Sequence, residues 1–236
     1  MTSHPAAAAV VTGANRADGI GLALVRELRR RGCAPVVGTY RNAASSSALL
    51  DLAAADADVL AAGLDVTSER SAAAFGEWCH ARLGGVDVLV NNAGTGEPPG
   101  SVTTAPIADL EEALQVHGVG LLRVTRALLP LMAAGAVVIS ISSNLGSLAG
   151  MEPGSTYYGP AKALQNALTR QLAGTLAGDG IVAFSVSPGW VRTSMGGSVA
   201  PLTPEQSARR LTELMLNAGP GDAGTFRDED GGTIPW

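Results

Sequence analysis

Hydrophobic residues occur along the chain in short β-branched runs that alternate with longer amphipathic segments. Continuous apolar runs are typical of strands buried on both faces, whereas apolar positions spaced three or four residues apart are typical of helices that cover a sheet. The predicted strands are residues 8–11, 35–39, 59–64, 86–90, 137–141, 181–186 and 224–227. The predicted helices are residues 19–31, 45–54, 68–83, 108–131, 157–176 and 204–216.

Strands separated by helices in this way are joined by right-handed crossovers into a parallel sheet with helices on both faces. The predicted fold class is therefore α/β, with a single doubly wound domain of Rossmann type over residues 1–236 and a mostly parallel sheet of about seven strands. Ligands of such sheets bind beyond the carboxyl ends of the strands, near the reversal of strand order. A binding site is expected there.

Composition narrows the class of protein. A chain of 236 residues with 46% hydrophobic residues and a net charge of −5 is globular, and this charge gives no reason to expect nucleic acid or a membrane as partner. No segment approaches the ~20 apolar residues of a membrane span, and no basic region precedes the apolar run at residues 6–11. Cys33 and Cys79 show neither metal-ligand spacing nor a disulfide framework. A cytoplasmic protein without a metal is expected.

The first predicted strand leads into a glycine-rich turn, residues 12–21, and then into a helix. Glycines let the backbone turn tightly and approach a pyrophosphate, which the free N–H groups and the dipole of the helix amino terminus attract. The position between a strand and a helix favours a dinucleotide site over an ordinary loop. The candidate cofactor contacts here are Gly13, Asn15, Arg16, Gly19, Ile20 and Gly21.

The end of the second strand indicates which dinucleotide is bound. An acidic residue there would bind a ribose 2′-hydroxyl and repel a 2′-phosphate, but the chain has Arg41 instead. Arg16 could supply a second cation to the same phosphate. NADP(H) is therefore favoured over NAD(H). The alternative is that both are ordinary surface residues, since every cation of the chain but one is arginine.

The exception is Lys162, the single lysine, which lies four residues after Tyr158. Residues four apart share one face of a helix, where an ammonium would favour the phenolate of a tyrosine whose usual pKa is ~10. Such a pair can donate a proton near neutral pH. An arginine is bulkier and planar, so it could not replace this point charge. The alternative is a chance pair on a solvated helix face.

Together, these motifs resemble the short-chain dehydrogenase/reductase family over essentially the whole chain. The matching segments are the glycine turn and residues 64–66, 91–94, 142–146, 158–162 and 188–193. Residues 195–197 and 230–236 are similar to the subgroup of C-factor and sniffer-type carbonyl reductases. The resemblance implies hydride transfer between NADP(H) and an aldehyde or ketone, or the corresponding alcohol. It also implies association of copies, as a homodimer or homotetramer, through the long helices that include His117 and Tyr158.

The resemblance also implies roles for individual residues. Tyr158 would transfer the proton, Lys162 would hold the nicotinamide ribose and lower the tyrosine pKa, and Ser143 would hydrogen-bond the carbonyl. Ser142 and Ser147 are close enough in sequence to remain alternatives to Ser143. The further cofactor contacts are Asp65, Val66, Asn92, Ala93, Gly94, Pro188, Gly189, Val191 and Thr193. Residues 194–204 would form a mobile substrate lid.

Two departures from the family pattern bear on function. The glycine turn is two residues longer, and one of the additional residues is Asp18, which must face solvent or pair with a cation. His117 occupies the position of a catalytic asparagine that supports a proton path to the lysine. It could join that path and titrate near pH ~6.5, or it could only pack between helices. These departures favour an alternative function: a cofactor-binding protein of the same fold with a regulatory or non-redox, cyclase-like role.

Overall fold

The computed structural model describes residues 7–151 and 154–236, so the amino-terminal residues 1–6 considered above lie outside this part. The strands are β1 Ala9–Val11, β2 Val36–Tyr40, β3 Val59–Gly63, β4 Val88–Asn91, β5 Val137–Ile141, β6 Val182–Val186 and β7 Phe226–Arg227. The helices are α1 Ile20–Arg30, α2 Ser47–Ala55, α3 Glu69–His80, α4 Ile107–Leu114, α5 Gly120–Leu128, α6 Tyr158–Leu176 and α7 Pro204–Leu216. None of the helices in the described ranges combines the length and the hydropathy needed to cross a lipid bilayer.

The strands form one seven-stranded sheet in the order β3-β2-β1-β4-β5-β6-β7. Every neighbouring pair is parallel, so the prediction of a mostly parallel doubly wound sheet is confirmed and the sheet is parallel throughout. The order reverses between β1 and β4, whose central residues Val10 and Leu89 lie opposite each other. This reversal opens a cleft at the carboxyl ends of the two strands.

The two faces of the sheet are buried by separate layers of helices. In β1, Ala9 and Val11 point into the layer that includes α1 and α7, whereas Val10 points into the layer of α3, α5 and α6. Successive side chains of a strand face opposite sides, so a strand covered on both sides is apolar at most positions. This requirement explains the continuous hydrophobic runs in the sequence.

The predicted helix over residues 108–131 is wrong in one respect, because the structure interrupts it. A π-helical turn, Gln115–Val119, separates α4 from α5, and a 3-10 turn, Leu129–Leu131, follows α5. Two glycines flank the π turn's carboxyl end at points of close packing: a Cβ on Gly118 would lie 2.6 Å from a Leu164 side-chain carbon, and one on Gly120 would lie 2.9 Å from Val66. Single π turns occur frequently at functional sites, and this one carries His117.

Candidate active site

A cavity of about 610 Å³ lies at the carboxyl ends of the strands, beside the reversal of strand order. Every site residue predicted from the sequence lines this cavity except Ser143, Gly189 and Val191. The chain thus brings together residues from segments that are as much as 180 positions apart, from Gly13 to Thr193. The volume falls within the range of ~300–1,000 Å³ that is usual for sites of small molecules and cofactors.

The glycine turn has the shape that close approach of a phosphate requires. Gly13 has φ +66°, and a Cβ at this position would lie 2.8 Å from the Cα of Ala93. A Cβ on Gly21 would lie 2.5 Å from the Asn92 side-chain nitrogen and 2.5 Å from the Gly13 carbonyl oxygen. Gly19 is the N-cap of α1, and the first turn of that helix contains no acidic residue. This arrangement fits a dinucleotide pyrophosphate at the helix amino terminus.

We predict that Gly21→Ala disrupts this turn, because the new methyl would meet the Gly13 carbonyl oxygen of the turn and the Asn92 amide that bonds it. Thermal unfolding should shift down by several degrees, and NADPH affinity should fall by about tenfold or more, since the strain lies next to the phosphate site. Gly174→Ala is the matched control, because a Cβ there meets nothing within 4 Å and the residue lies inside α6. It should keep affinity and raise stability slightly. Parent-like cofactor affinity in Gly21→Ala would contradict this assignment.

Polar side chains tie the turn to the loop after β4. Thr12 Oγ1 accepts the backbone N–H groups of Asn92 and Ala93, each at 2.9 Å. The Asn92 side-chain amide donates to the carbonyl oxygens of Thr12 and Gly13 at 2.8 and 3.1 Å. Sequence reasoning missed the role of Thr12, although its place at the end of β1 could have indicated it. Asn92 supports the backbone of the cofactor site.

Asp18, one of the two additional residues of the turn, is paired as expected. Its carboxylate accepts the backbone N–H of Ser194 at 2.7 Å and lies 3.4 Å from Nε of Arg16. Partial desolvation opposes ionisation, but the hydrogen bonds from Ser194 and the charge of Arg16 lower the pKa of Asp18 below its ordinary value. Arg16 also bonds the Ser194 hydroxyl. The longer turn therefore contacts Ser194, in the segment predicted as a lid. Asp18 and Ser194 both contact the guanidinium of Arg16.

Arg41 remains available at the adenine end of the cavity. It follows β2 directly, its side chain is 68% exposed, and its nearest charged partner is Glu112 at 3.9 Å. Asp65 also lines this end, where its carboxylate accepts the N–H and the hydroxyl of Thr67 at 2.9 and 2.7 Å. These hydrogen bonds, the side-chain one first, lower the pKa of Asp65. The guanidinium of Arg41 is thus exposed and makes only the long ion pair with Glu112 among the described residues.

Tyr158, Lys162 and His117 meet at the opposite end of the cavity. The Lys162 Nζ lies 5.5 Å from the centre of the Tyr158 ring, and the His117 ring meets that ring edge-on at 5.7 Å. Lys162 is only 3% exposed, and its Nζ donates to the carbonyl oxygen of Ile141 at 2.6 Å and to Oε1 of Gln165 at 2.8 Å. Sequence reasoning missed Gln165. The helical spacing therefore does bring tyrosine and lysine together.

The pKa of Tyr158 lies above its ordinary value in this structure, whereas a value lowered by Lys162 was expected. Burial raises the pKa of Tyr158 to about 12, while a hydrogen bond from Ser143 acts in the opposite direction. Burial also lowers the pKa of Lys162 to about 7, so the ammonium is only partly populated at neutral pH. The phenol is therefore protonated over the whole physiological range, which suits an acid more than a base.

His117 is held in one orientation by Thr95. Its Nε2 lies 3.2 Å from both the backbone nitrogen and the carbonyl oxygen of Thr95 and 3.3 Å from Thr95 Oγ1, so Nε2 has a partner in either neutral tautomer. That buried Nδ1 has no hydrogen-bond partner among the described residues. Burial first, and then the charge of Lys162, lower the pKa of His117 to about 2. The expectation that His117 titrates near pH ~6.5 is therefore wrong, because the ring stays neutral.

We predict that His117→Asn keeps most of the activity, because a neutral amide can both donate and accept as the neutral imidazole does. His117→Leu removes the ring nitrogen that contacts the polar groups of Thr95 and should lower kcat by about tenfold. The two pH–rate profiles of the parent and His117→Asn should have the same shape between pH ~5 and ~8. A break near pH 6.5 that is present in the parent and lost in His117→Asn would mean that the imidazolium takes part.

The three candidate serines differ in their surroundings. Ser147 donates to the Pro235 carbonyl oxygen at 2.5 Å and accepts the N–H of Gly150 at 3.1 Å, so it serves the carboxyl-terminal segment. Ser142 is buried and lines the cavity, and its Oγ has no partner within the described part of the chain. Ser143 does not line the cavity; its hydroxyl donates to Asn144 Oδ1 at 3.3 Å and accepts the N–H of Leu145 at 3.2 Å. Of the three serines, only Ser143 acts on the pKa of Tyr158, which it lowers, and this favours Ser143.

Gly189 and Val191 shape the loop after β6 rather than the cavity wall. Gly189 has φ +77°, and a Cβ there would lie 2.6 Å from Glu229 and Leu202 atoms. Val191 is 4% exposed and pairs with Leu202. Of the predicted lid, residues 194–204, only Ser194 and Met195 line the cavity. Leu202 pairs with this loop through Val191 and Arg192.

Glu97 anchors the start of α6, a role that the sequence did not indicate. Its Oε1 accepts the N–H groups of Thr156, Tyr157 and Tyr158 at 2.7, 2.8 and 3.4 Å, and its Oε2 accepts the Ser155 hydroxyl at 2.7 Å. The N-cap residue of α6 makes no side-chain cap of its own. The carboxylate therefore satisfies amino-terminal donors of the helix from the loop that follows β4.

A parallel sheet whose switch-point cavity combines a glycine turn with a tyrosine and a buried lysine is the architecture of a nicotinamide-dependent oxidoreductase. A family model described as enoyl-(acyl carrier protein) reductase matches residues 13–219. The chain belongs to the short-chain dehydrogenase/reductase family, which confirms the resemblance read from its motifs.

Similar proteins include C-signal and carbonyl reductases, in line with the subgroup that the sequence resembles. The chain is 36% identical to C-signal of Myxococcus xanthus over 65% of this chain and 94% of that protein. The structure of carbonyl reductase Sniffer of D. melanogaster matches with a TM-score of 0.91 at 30% identity, covering 99% of this chain and 100% of that one. NADPH-bound carbonyl reductase from chicken fatty liver matches with a TM-score of 0.91 at 27% identity, covering 99% and 100%. The chain is thus a carbonyl-reductase-like oxidoreductase.

Proposed function

We propose that this protein reduces an aldehyde or ketone with NADPH, with Tyr158, Lys162 and Ser143 as the catalytic group. The observation that carries the proposal is that Tyr158 and the buried Lys162 lie side by side in one cavity, with Nζ 5.5 Å from the ring centre. The glycine turn lines the other end of the same cavity. The likeness to solved carbonyl reductases, one of them with NADPH bound, supports it. A bound nicotinamide supplies the hydride, and the protein supplies position, a proton and charge stabilisation.

The protonation state of Tyr158 suits the proton-donating step of carbonyl reduction. Burial raises the pKa of Tyr158 to about 12, so its phenol holds a proton that it can donate to the developing alkoxide. In this proposal the hydroxyl of Ser143, which now bonds Asn144 and Leu145, turns to hydrogen-bond the same oxygen as negative charge accumulates there. Lys162 uses two of its three donors on Ile141 and Gln165, which leaves one donor for a ribose hydroxyl.

NADPH is preferred in this proposal because Arg41 is exposed at the adenine end and no acid closes β2. Arg16 makes a smaller contribution than the sequence indicated, since Asp18 and Ser194 already engage its guanidinium. A planar guanidinium can bind a phosphate with two parallel hydrogen bonds. The selectivity is therefore assigned mainly to Arg41.

A second candidate function is a cofactor-binding protein without redox turnover, and the observation that favours it is His117 at the position of the expected asparagine. The two functions separate when the loss of NADPH absorbance is followed with a panel of aldehydes and ketones. Steady NADPH consumption matched by alcohol formation supports reduction. Tight NADPH binding with no consumption over the whole panel supports the second function.

A further inference from the structure

Lys162 is held by two carbonyl groups. Its Nζ donates to the backbone oxygen of Ile141 at 2.6 Å and to Oε1 of Gln165 at 2.8 Å, and both Lys162 and Gln165 are almost fully buried, with 3% and 1% exposure. Gln165 lies three residues after Lys162, one helical turn further along α6. A buried polar side chain needs a hydrogen-bond partner. The Lys162 ammonium and the Gln165 amide oxygen are partners of each other.

No carboxylate bonds this ammonium among the described residues. The titratable groups that face Nζ are Tyr158 on the same helix and His117 on the π turn, and β5 presents only the Ile141 carbonyl. Both titratable groups are neutral at neutral pH, because burial raises the pKa of Tyr158 to about 12 and lowers that of His117 to about 2. The buried ammonium of Lys162 is therefore stabilised by the dipoles of carbonyl groups. Among the described residues, Gln165 is the only one whose side chain supplies such a dipole.

Gln165 also borders the region between Lys162 and His117. With His117 and Asn91, it lines a second cavity of about 10 Å³, which is the size of one water molecule. A side chain that served packing alone would not need an amide at this position, because an apolar residue of similar volume costs no desolvation. The placement of the amide against Nζ thus indicates a role in the site.

We propose that Gln165 is a positioning residue of the active site, whose amide oxygen fixes the Lys162 ammonium against β5 and keeps it protonated, with its remaining donor directed into the cofactor cavity. Burial lowers the pKa of Lys162 to about 7, and without the Gln165 oxygen it would fall further. The link from this arrangement to turnover rests on the proposed function. The hydrogen bond itself can be measured without any catalysis.

The single lysine makes the measurement direct. Protein labelled with isotope in lysine Cε gives one side-chain NMR signal, that of Lys162, whose pH titration reports the ammonium. In Gln165→Leu the midpoint should move down by about one pH unit or more, since a charge-assisted hydrogen bond is lost. In Gln165→Glu the added carboxylate should move it up. Gln171→Leu, which changes an exposed glutamine of the same helix, should leave it within a few tenths of a unit of the parent.

Kinetics then connect the titration to the reaction. If the protonated lysine is the active form, kcat falls as pH rises through its pKa, so this limb should shift to lower pH in Gln165→Leu and to higher pH in Gln165→Glu. Midpoints that coincide in the parent and both Gln165 variants would overturn the proposal. So would NMR midpoints that shift while the kcat profiles of an active enzyme stay unchanged. If the parent shows no turnover, the proposed function fails while the NMR titration still decides whether Gln165 holds the ammonium.

Discussion

Tyr158→Phe is expected to lower carbonyl reduction by about 10²- to 10⁴-fold while NADPH affinity stays within about twofold of the parent. The change removes one oxygen, which acts in the proton transfer and contributes little to ground-state binding. The expectation is stronger because Tyr158 is protonated at all physiological pH values, so the parent always holds the acid form. Steady-state kinetics and a cofactor titration give the two quantities.

The neighbouring tyrosine provides the matched control. Tyr157 is buried, and its hydroxyl donates to the Ala105 carbonyl oxygen at 2.9 Å, outside the cavity. Tyr157→Phe therefore removes the same atom with an expected loss of ~1 kcal/mol in stability and no large loss in kcat. Lys162→Arg should not restore the function of the lysine, because a guanidinium does not fit between the Ile141 and Gln165 oxygens as an ammonium does. Substantial reduction by Tyr158→Phe would assign the acid to another group.

Arg41→Asp is expected to reverse the cofactor preference. In the parent, the charge-assisted contact between Arg41 and the 2′-phosphate should contribute roughly 1.5 to 3 kcal/mol to the binding of NADPH. NADH lacks this phosphate, so NADPH should bind about tenfold or more tightly than NADH. An aspartate in this place would repel the 2′-phosphate and accept a hydrogen bond from the 2′-hydroxyl of NADH. Dissociation constants for both cofactors, measured with the parent and the variant, give the ratio directly.

The control for this reversal is another exposed arginine. Arg26 lies in the middle of α1 and does not line the cavity, so Arg26→Asp makes the same change in net charge elsewhere. It should leave the ratio of the two dissociation constants unchanged. Equal affinities of the parent for NADPH and NADH would show that Arg41 contributes no selectivity. A preference for NADPH that survives Arg41→Asp would move the selectivity to Arg16.

The fold could be predicted from the sequence because its signals are local. A continuous apolar run such as β1 indicates a buried strand, and an amphipathic segment such as α1 indicates a helix with one buried face. The π turn at Gln115–Val119 could not be predicted, because one additional residue in a single turn barely changes the spacing of apolar positions. Its position depends on packing against Leu164 and Val66, which are distant in sequence.

The site was predictable where its chemistry follows from neighbouring residues in the chain. Tyr158 and Lys162 belong to one helix, and the turn that contains Gly13 and Gly21 directly follows a strand. The contacts of Glu97 with the start of α6 join residues about sixty positions apart, so no local pattern indicates them. Burial sets the pKa values of Tyr158 and His117, and burial of a single side chain depends on the assembled fold.

We propose that the cavity holds NADPH for hydride transfer to a carbonyl carbon. To test this, the protein is incubated with NADPH that carries deuterium at both C4 positions and a panel of aldehydes and ketones, and the alcohols are analysed by mass spectrometry. We expect alcohols that carry one deuterium on the former carbonyl carbon, formed by the parent and by Tyr157→Phe but about 10²-fold or more slowly by Tyr158→Phe. Tight NADPH binding without deuterated alcohol from any carbonyl compound of the panel would contradict it.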